Sequence, residues 1–333
     1  MILRQGDLPG PLIPPGARIA VIAPSGVVRP ERLERGLAVL RAWGFEPVVG
    51  THVLSVAGHT AGTVAQRRED LAWALGAPDL DAIWFARGGF GAMHLLEDLV
   101  RMTRRGRVVP GRPILGFSDA TAFLAALYRE GALSDGGPGP DLDPTPTPGE
   151  HPTPGARPAA GPGLLGVHAP VITALGDLTA PAVLGRVHDL LTRGSGFTSE
   201  VAHVGGPRTG AAGPLVGGNL ALLAALAGTP HALRSHGAIM VLEDVGEPVY
   251  RLDRMVTQLE LSGGLMGVVA FALGSFSAAP GERDPHAEAF MEQRLAGFGV
   301  PIVVGLPVGH DPDNEPWVYG RWAVLDDDAQ TTP

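Results

Sequence analysis

Two α/β domains built on parallel strands are what this 333-residue chain predicts, and three observations carry the expectation. Short apolar runs alternate with amphipathic stretches through the first half, a repetition that suits strands joined by crossover helices in a parallel sheet. The alternation breaks at a Gly-rich segment, 195–212 (SGFTSEVAHVGGPRTGAA), and then resumes. The length also exceeds the usual single-domain size of about 100 to 200 residues. Spans of 1–198 and 205–327 follow for the two domains.

The first strand is 18–24 (RIAVIAP), an apolar run that ends in a Pro-Ser-Gly turn. A helix over 30–43 opens on Pro30 with acidic residues behind it and sets Leu33, Leu37 and Leu40 at helical spacing. Helix 64–75, strand 81–86, helix 92–102, strand 112–117 and helix 119–129 continue the pattern. Residues 134–163 then hold 9 Pro and 7 Gly in 30 positions, too little apolar surface to offset the entropy of ordering, so a disordered or polyproline insertion is expected. The run 164–172 and a helix near 180–192 resume the first domain, which places the insertion inside it. In the second domain the expected order is strand and helix at 214–227, strand 237–243, helix 251–260, strand 266–276, helix 286–297, strand 300–306 and a terminal strand pair around 317–325.

Composition narrows the function. Apolar runs such as 265–273 fall far short of the roughly 18 residues that span a bilayer. The N-terminus shows no basic segment leading into an apolar one, so a cytoplasmic protein without membrane contact is expected. A net charge of −9, with no basic stripe among aromatics, argues against nucleic acid as a partner. Zero cysteines exclude thiol nucleophiles and thiolate-held metals, leaving serine, carboxylate and histidine chemistry. The histidines show no HExxH, and His231 and His236 stand five apart rather than at the i, i+4 spacing that shares a helix face, so neither metal nor cofactor is expected.

Several strand ends carry reactive residue types. Ser118, in GFSDA, sits between a buried strand and a helix, one methyl from the GxSxG turn that presents a nucleophile; Ser before Asp is equally a helix cap. The N–H of Asp119 points with the helix start toward a developing oxyanion. In ARGGFGAMHLL, Gly88 and Gly89 permit close backbone approach, either as an anion cradle or as a tight turn. Arg87 lies at a strand's C-terminal end, where α/β ligands bind, and suits a carboxylate as well as plain solvation. Glu243 ends the apolar run 238–243, either solvated or orienting a histidine. His310 follows the run 301–309, as a general base or a surface residue. The chain order Ser, Glu, His is one in which hydrolytic triads occur.

With these residues in view, the chain resembles the LD-carboxypeptidase family of serine peptidases, whose relatives include the microcin C immunity peptidases. The segments IAVIAPSG (19–26), ARGGFGAMHLL (86–96), PILGFSDATAF (113–123), GGNLALLAALAGTP (217–230), LEDVGEPVYRLDRMVTQL (242–259) and GLPVGHDPDN (305–314) carry the resemblance. It implies a flavodoxin-like N-terminal domain, a smaller swivelling β/β/α C-terminal domain, and a homodimer. It further implies Ser118 as nucleophile, His310 as base, Glu243 as its orienting carboxylate, and an oxyanion hole from the N–H groups of Gly89 and Asp119. The implied reaction is metal-free release of terminal D-alanine from a murein tetrapeptide in cell-wall recycling, with Arg87 a candidate for the terminal carboxylate. Phe90 and Phe117 stand where the family often has Tyr, and His168-Ala169-Pro170 replaces a HisGlyPro pattern. Two alternatives remain: an immunity peptidase acting on aminoacyl nucleotides, and a non-catalytic anion-binding protein. The latter requires His310 to lie beyond about 5 Å from the Ser118 hydroxyl.

Overall fold

A computed structural model of the chain describes residues 1–133 and 163–327; the proposed insertion, all but Gly163, lies outside them. In chain order the first half runs β1 (Ile2–Arg4), β2 (Arg18–Ile22), α1 (Pro30–Ala42), β3 (Glu46–Val49), α2 (Val64–Gly76), β4 (Ala82–Phe85), α3 (Leu96–Arg104), β5 (Pro113–Gly116), α4 (Thr121–Arg129), β6 (Leu165–His168), α5 (Ile172–Leu175) and α6 (Pro181–Arg193). The second runs β7 (Thr198–Glu200), β8 (Ala202–Gly205), β9 (Ala211–Asn219), α7 (Leu220–Leu226), β10 (Ile239–Val245), α8 (Val249–Leu261), β11 (Ala270–Ala279), β12 (Glu282–Arg283), α9 (Pro285–Leu295), β13 (Ile302–Val304), β14 (Trp317–Val318) and β15 (Trp322–Asp326).

Local chemistry explains the helix starts. Thr63 and Gln66 form a capping box at α2, Asp284 accepts the first N–H groups of α9, and Pro opens α1, α6 and α9, where its missing N–H costs nothing. The predicted helices at 92–102 and 119–129 each begin instead with a 3₁₀ turn, at Ala92–Leu95 and Ser118–Ala120, before the α-helical hydrogen bonding sets in.

The six-stranded sheet has the order β14-β6-β5-β4-β2-β3. Its five parallel strands, β2 to β6, numbered from one, read 2-1-3-4-5, which is the flavodoxin-like order. Such strands are covered on both faces, and Ile83, Trp84, Phe85, Ile114 and Leu115 are each no more than 1% exposed. Each large apolar side chain so buried contributes about 1.5–3 kcal/mol. An isolated parallel bridge joins Leu133 to Leu164, so the residues flanking the 134–163 segment lie side by side after α4 and before β6.

The second sheet has the path β7-β1-β15-β9-β10-β11-β13-β8, with β12 paired to β11. Its centre, β9, β10, β11 and β13, is parallel, and its flanking pairs are antiparallel. Two features depart from the expected layout. The Gly-rich stretch after residue 195 forms β7, β8 and the start of β9 rather than a plain linker. The expected strand pair around 317–325 is no pair: β14 joins β6 in the six-stranded sheet, whereas β15 joins β1 and β9 in the other. Residues 2–4 likewise sit in the second sheet, and Gln5 ties them to β14 through Val318 and the Arg321 carbonyl.

Candidate active site

Three side chains carried by two sheets meet at one point. Ser118 follows β5, Glu243 lies in the last half of β10, and His310 stands in the loop after β13. The His310 Nε2 atom is 3.1 Å from Ser118 Oγ, and its Nδ1 atom is 2.8 Å from Glu243 Oε2. A carboxylate can only accept, so Nδ1 carries the proton and Nε2 is free to accept from the serine hydroxyl. The distance fails the condition set by the non-catalytic alternative.

Ser118 is held in a conformation that suits exposure of its hydroxyl. Its φ of +61° makes it the one non-glycine residue with positive φ among those described. Such a backbone costs on the order of 1–3 kcal/mol and marks sites where geometry matters more than ease. The helix-cap reading of Ser118 is not met: Phe117 occupies the cap position of the 3₁₀ turn, and the Ser118 hydroxyl faces His310. Gly88 packs directly on it, since a Cβ there would meet Ser118 Cβ at 2.9 Å and Oγ at 3.1 Å.

Glu243 is fully buried, and its Oε1 has no hydrogen-bond partner among the described residues, so the bond to His310 is what holds it. A buried carboxylate of this kind is costly without a cationic or hydrogen-bonding partner. Burial draws the His310 pKa down, but the charge and hydrogen bond of Glu243, joined by the charges of Asp244 and Asp311, outweigh it and leave it above the ordinary value. Beside it, burial and then the Glu243 charge push Asp244 up to about 7. Asp244 accepts from Asn219 Nδ2, Ala221 N and Val245 N, fixing the start of α7. Asn219 N in turn donates to Thr121 Oγ1 at 3.2 Å, which ties the second sheet to the helix behind Ser118.

The glycine loop curls over the same place. Gly89 adopts φ +105°, and neither its N–H nor that of Asp119 donates to a described backbone carbonyl outside regular structure. Asp119 is buried and its Oδ2 accepts the Ala92 N–H at 2.8 Å, a role the sequence did not suggest. Burial raises its pKa, with the Ala92 bond and Arg67 opposing. Arg67, 2% exposed, donates to the carbonyls of Pro24 and Gly91 and so clamps the β2 and β4 loops together. Its spacing within α2 gave no sign of this, because both acceptors are backbone atoms from other loops.

Arg87 is exposed, donates to the Val27 carbonyl, and makes no ion pair among the described residues. Partial desolvation of its guanidinium lowers its pKa, and the neighbouring charges of Arg32 and Arg29 lower it further. Phe117 packs near His310, with ring centroids 5.0 Å apart, while Phe90 is 61% exposed over His94. His231 lies 2.9 Å from Glu97 and His236 elsewhere; no group of three or more metal-ligating side chains occurs among the described residues. A serine, a histidine and a buried carboxylate in line can remove a hydroxyl proton and stabilise the imidazolium that results.

Comparison with known proteins adds independent findings. Residues 19–134 match the LD-carboxypeptidase N-terminal domain and 212–325 the LD-carboxypeptidase C-terminal domain. The chain is 36% identical to the murein tetrapeptide carboxypeptidase of Pseudomonas aeruginosa, over 94% of each. It is 24% identical to the microcin C7 self-immunity protein of Escherichia coli, over 86% of this chain and 83% of that one. The crystal structure of muramoyltetrapeptide carboxypeptidase from Oxalobacter formigenes superposes with a TM-score of 0.70 at 27% identity, covering 94% of this chain and 96% of that one. Matched in both halves and over nearly its whole length, the chain belongs to the LD-carboxypeptidase family.

Proposed function

We propose that this protein is a serine carboxypeptidase that releases the terminal D-alanine of a murein tetrapeptide by cutting an LD-peptide bond. The observation that carries the proposal is the Ser118–His310–Glu243 line, with contacts of 3.1 and 2.8 Å, in a chain 36% identical to a murein tetrapeptide carboxypeptidase. In this reading His310 removes the Ser118 proton as the hydroxyl attacks the scissile carbonyl, and Glu243 stabilises the imidazolium. The N–H groups of Gly89 and Asp119 receive the oxyanion. Asp119 shapes that hole a second time by holding Ala92 through its carboxylate. His310 then protonates the leaving amine of D-alanine, and water attacks the acyl-enzyme with the same base.

Arg87 is the proposed contact for the terminal carboxylate. Its support is its position beside Gly88, which touches Ser118, and the gathering of Arg29 and Arg32 around it without a carboxylate on Arg87 itself. The proposal extends, on the family resemblance, to a cytoplasmic homodimer acting in cell-wall recycling, open to test by fractionation and light scattering. Incubation with L-Ala-D-Glu-diaminopimelate-D-Ala tests the activity. Release of D-alanine supports the reading; an intact peptide together with cleavage of an aminoacyl sulfamoyl nucleotide replaces it with the immunity type.

A further inference from the structure

Base and nucleophile come from different sheets, so their contact depends on a connection that registers one sheet against the other. The chain leaves β13 in the second sheet, passes through the His310 turn, and enters β14, which pairs antiparallel with β6 beside β5, before returning to the second sheet as β15. In that pairing Trp317 lies opposite His168.

Two buried side chains close this strap on itself. Asn314, 4% exposed, accepts the Gly309 N–H at 3.1 Å through Oδ1, and the same oxygen lies 2.8 Å from His168 Nε2. A backbone amide can only donate, so the atom facing Gly309 is the carboxamide oxygen, and His168 must therefore carry its proton on Nε2. His168 is 1% exposed. Its ring stacks on Trp317 at 5.1 Å and 15° and lies 5.8 Å from Phe117, the residue before the nucleophile. Gly309 is a position that only glycine fits, since its φ is +140° and a Cβ would meet Ser275 Oγ at 2.2 Å. Burial holds the His168 pKa down at about 4, against the Asn314 bond and the Glu243 charge. It thus stays a neutral donor wherever His310 works as a base.

We propose that His168 and Asn314 are positioning residues that lock the Gly309–His310 turn onto the Ser118-bearing sheet. Each acts through His310 and touches no reacting atom, and the inference rests on His310 being the base. A pair that served packing alone would cost stability without singling out the chemical step.

The test compares His168→Phe, which keeps a stacking ring and loses the N–H, with His168→Gln, whose amide donates from a similar reach. Melting temperature, kcat and KM for D-alanine release, and the rate of Ser118 labelling by a fluorophosphonate are measured for each. His168→Phe is expected to lower kcat and labelling by about 10²-fold, the cost of a misplacement near 1 Å, with KM within about threefold. His168→Gln is expected to recover at least about tenfold of that loss. Equal losses in the two variants, or a His168→Phe kcat within about threefold of the parent, overturn the proposal. If His168→Phe does not fold, Asn314→Leu against Asn314→Asp, which keeps the acceptor, makes the same comparison: a larger loss in Asn314→Leu supports the proposal and equal losses overturn it. Labelling needs no peptide, so a parent protein that labels but releases no D-alanine refutes the substrate and leaves the strap testable.

Discussion

Replacing Glu243 with Gln removes one charge from a fully buried position and leaves the side-chain volume almost unchanged. The carboxylate sits 2.8 Å from His310 Nδ1 and has no other hydrogen bond among the described residues, so the substitution falls almost wholly on that contact. An ion pair in contact is worth about 4 kcal/mol at an effective dielectric of about 20, and that is lost when imidazolium forms in the transition state. A term of this size corresponds to about three decades in rate. The amide also turns its NH₂ toward Nδ1 and favours the wrong tautomer, which brings the expected loss in kcat to about 10⁴-fold. Steady-state D-alanine release and fluorophosphonate labelling measure it, with thermal melting to confirm that the variant is folded. A kcat within about tenfold of the parent would refute the claim that Glu243 works through His310.

The pH dependence has a defined sign. The base must be neutral to act, and the His310 pKa stands above its ordinary value of 6.5 because of Glu243, so kcat/KM should fall about tenfold per unit on the acid side from a midpoint above 6.5. A midpoint below about 6 would contradict the Glu243 assignment. Gly88→Ala brings a Cβ to 2.9 Å from Ser118 Cβ and should lower kcat at least about tenfold while the protein still melts cooperatively. Normal turnover would show that the glycine loop can retreat. Arg87→Ala should raise KM about tenfold or more with kcat within a few-fold, as expected for loss of a charge-assisted contact to a carboxylate. An unchanged KM removes Arg87 from the substrate site.

The fold class and the strand ends were legible because buried parallel strands are nearly continuous apolar runs, as at Ala82–Phe85, Pro113–Gly116 and Ile239–Leu242. Ser118, Glu243 and His310 could each be seen at such an end, but nothing in spacing joined residues 118, 243 and 310; the resemblance did so, and the 3.1 and 2.8 Å contacts give it a geometry. Strands β1, β3, β7, β8 and β12 escaped for physical reasons. Each has four residues or fewer, too few to show a period, and β1 finds its partners in β7 and β15, far along the chain. Glu46–Val49 also contains a proline and sits exposed at a sheet edge, which is where such a strand is tolerated. The roles of the Asp119 carboxylate and of Arg67 lie in hydrogen bonds to the backbone of other loops, an interaction that leaves no mark on residue type.

The central claim is that the Ser118 hydroxyl, driven by His310, cuts the bond before a terminal D-alanine. The most direct measurement is D-alanine released from the tetrapeptide by the parent and by Ser118→Ala, with melting curves for both. The account predicts turnover by the parent and a loss of at least about 10³-fold in a variant that melts like it. Comparable release by both, or none by the parent, would contradict it.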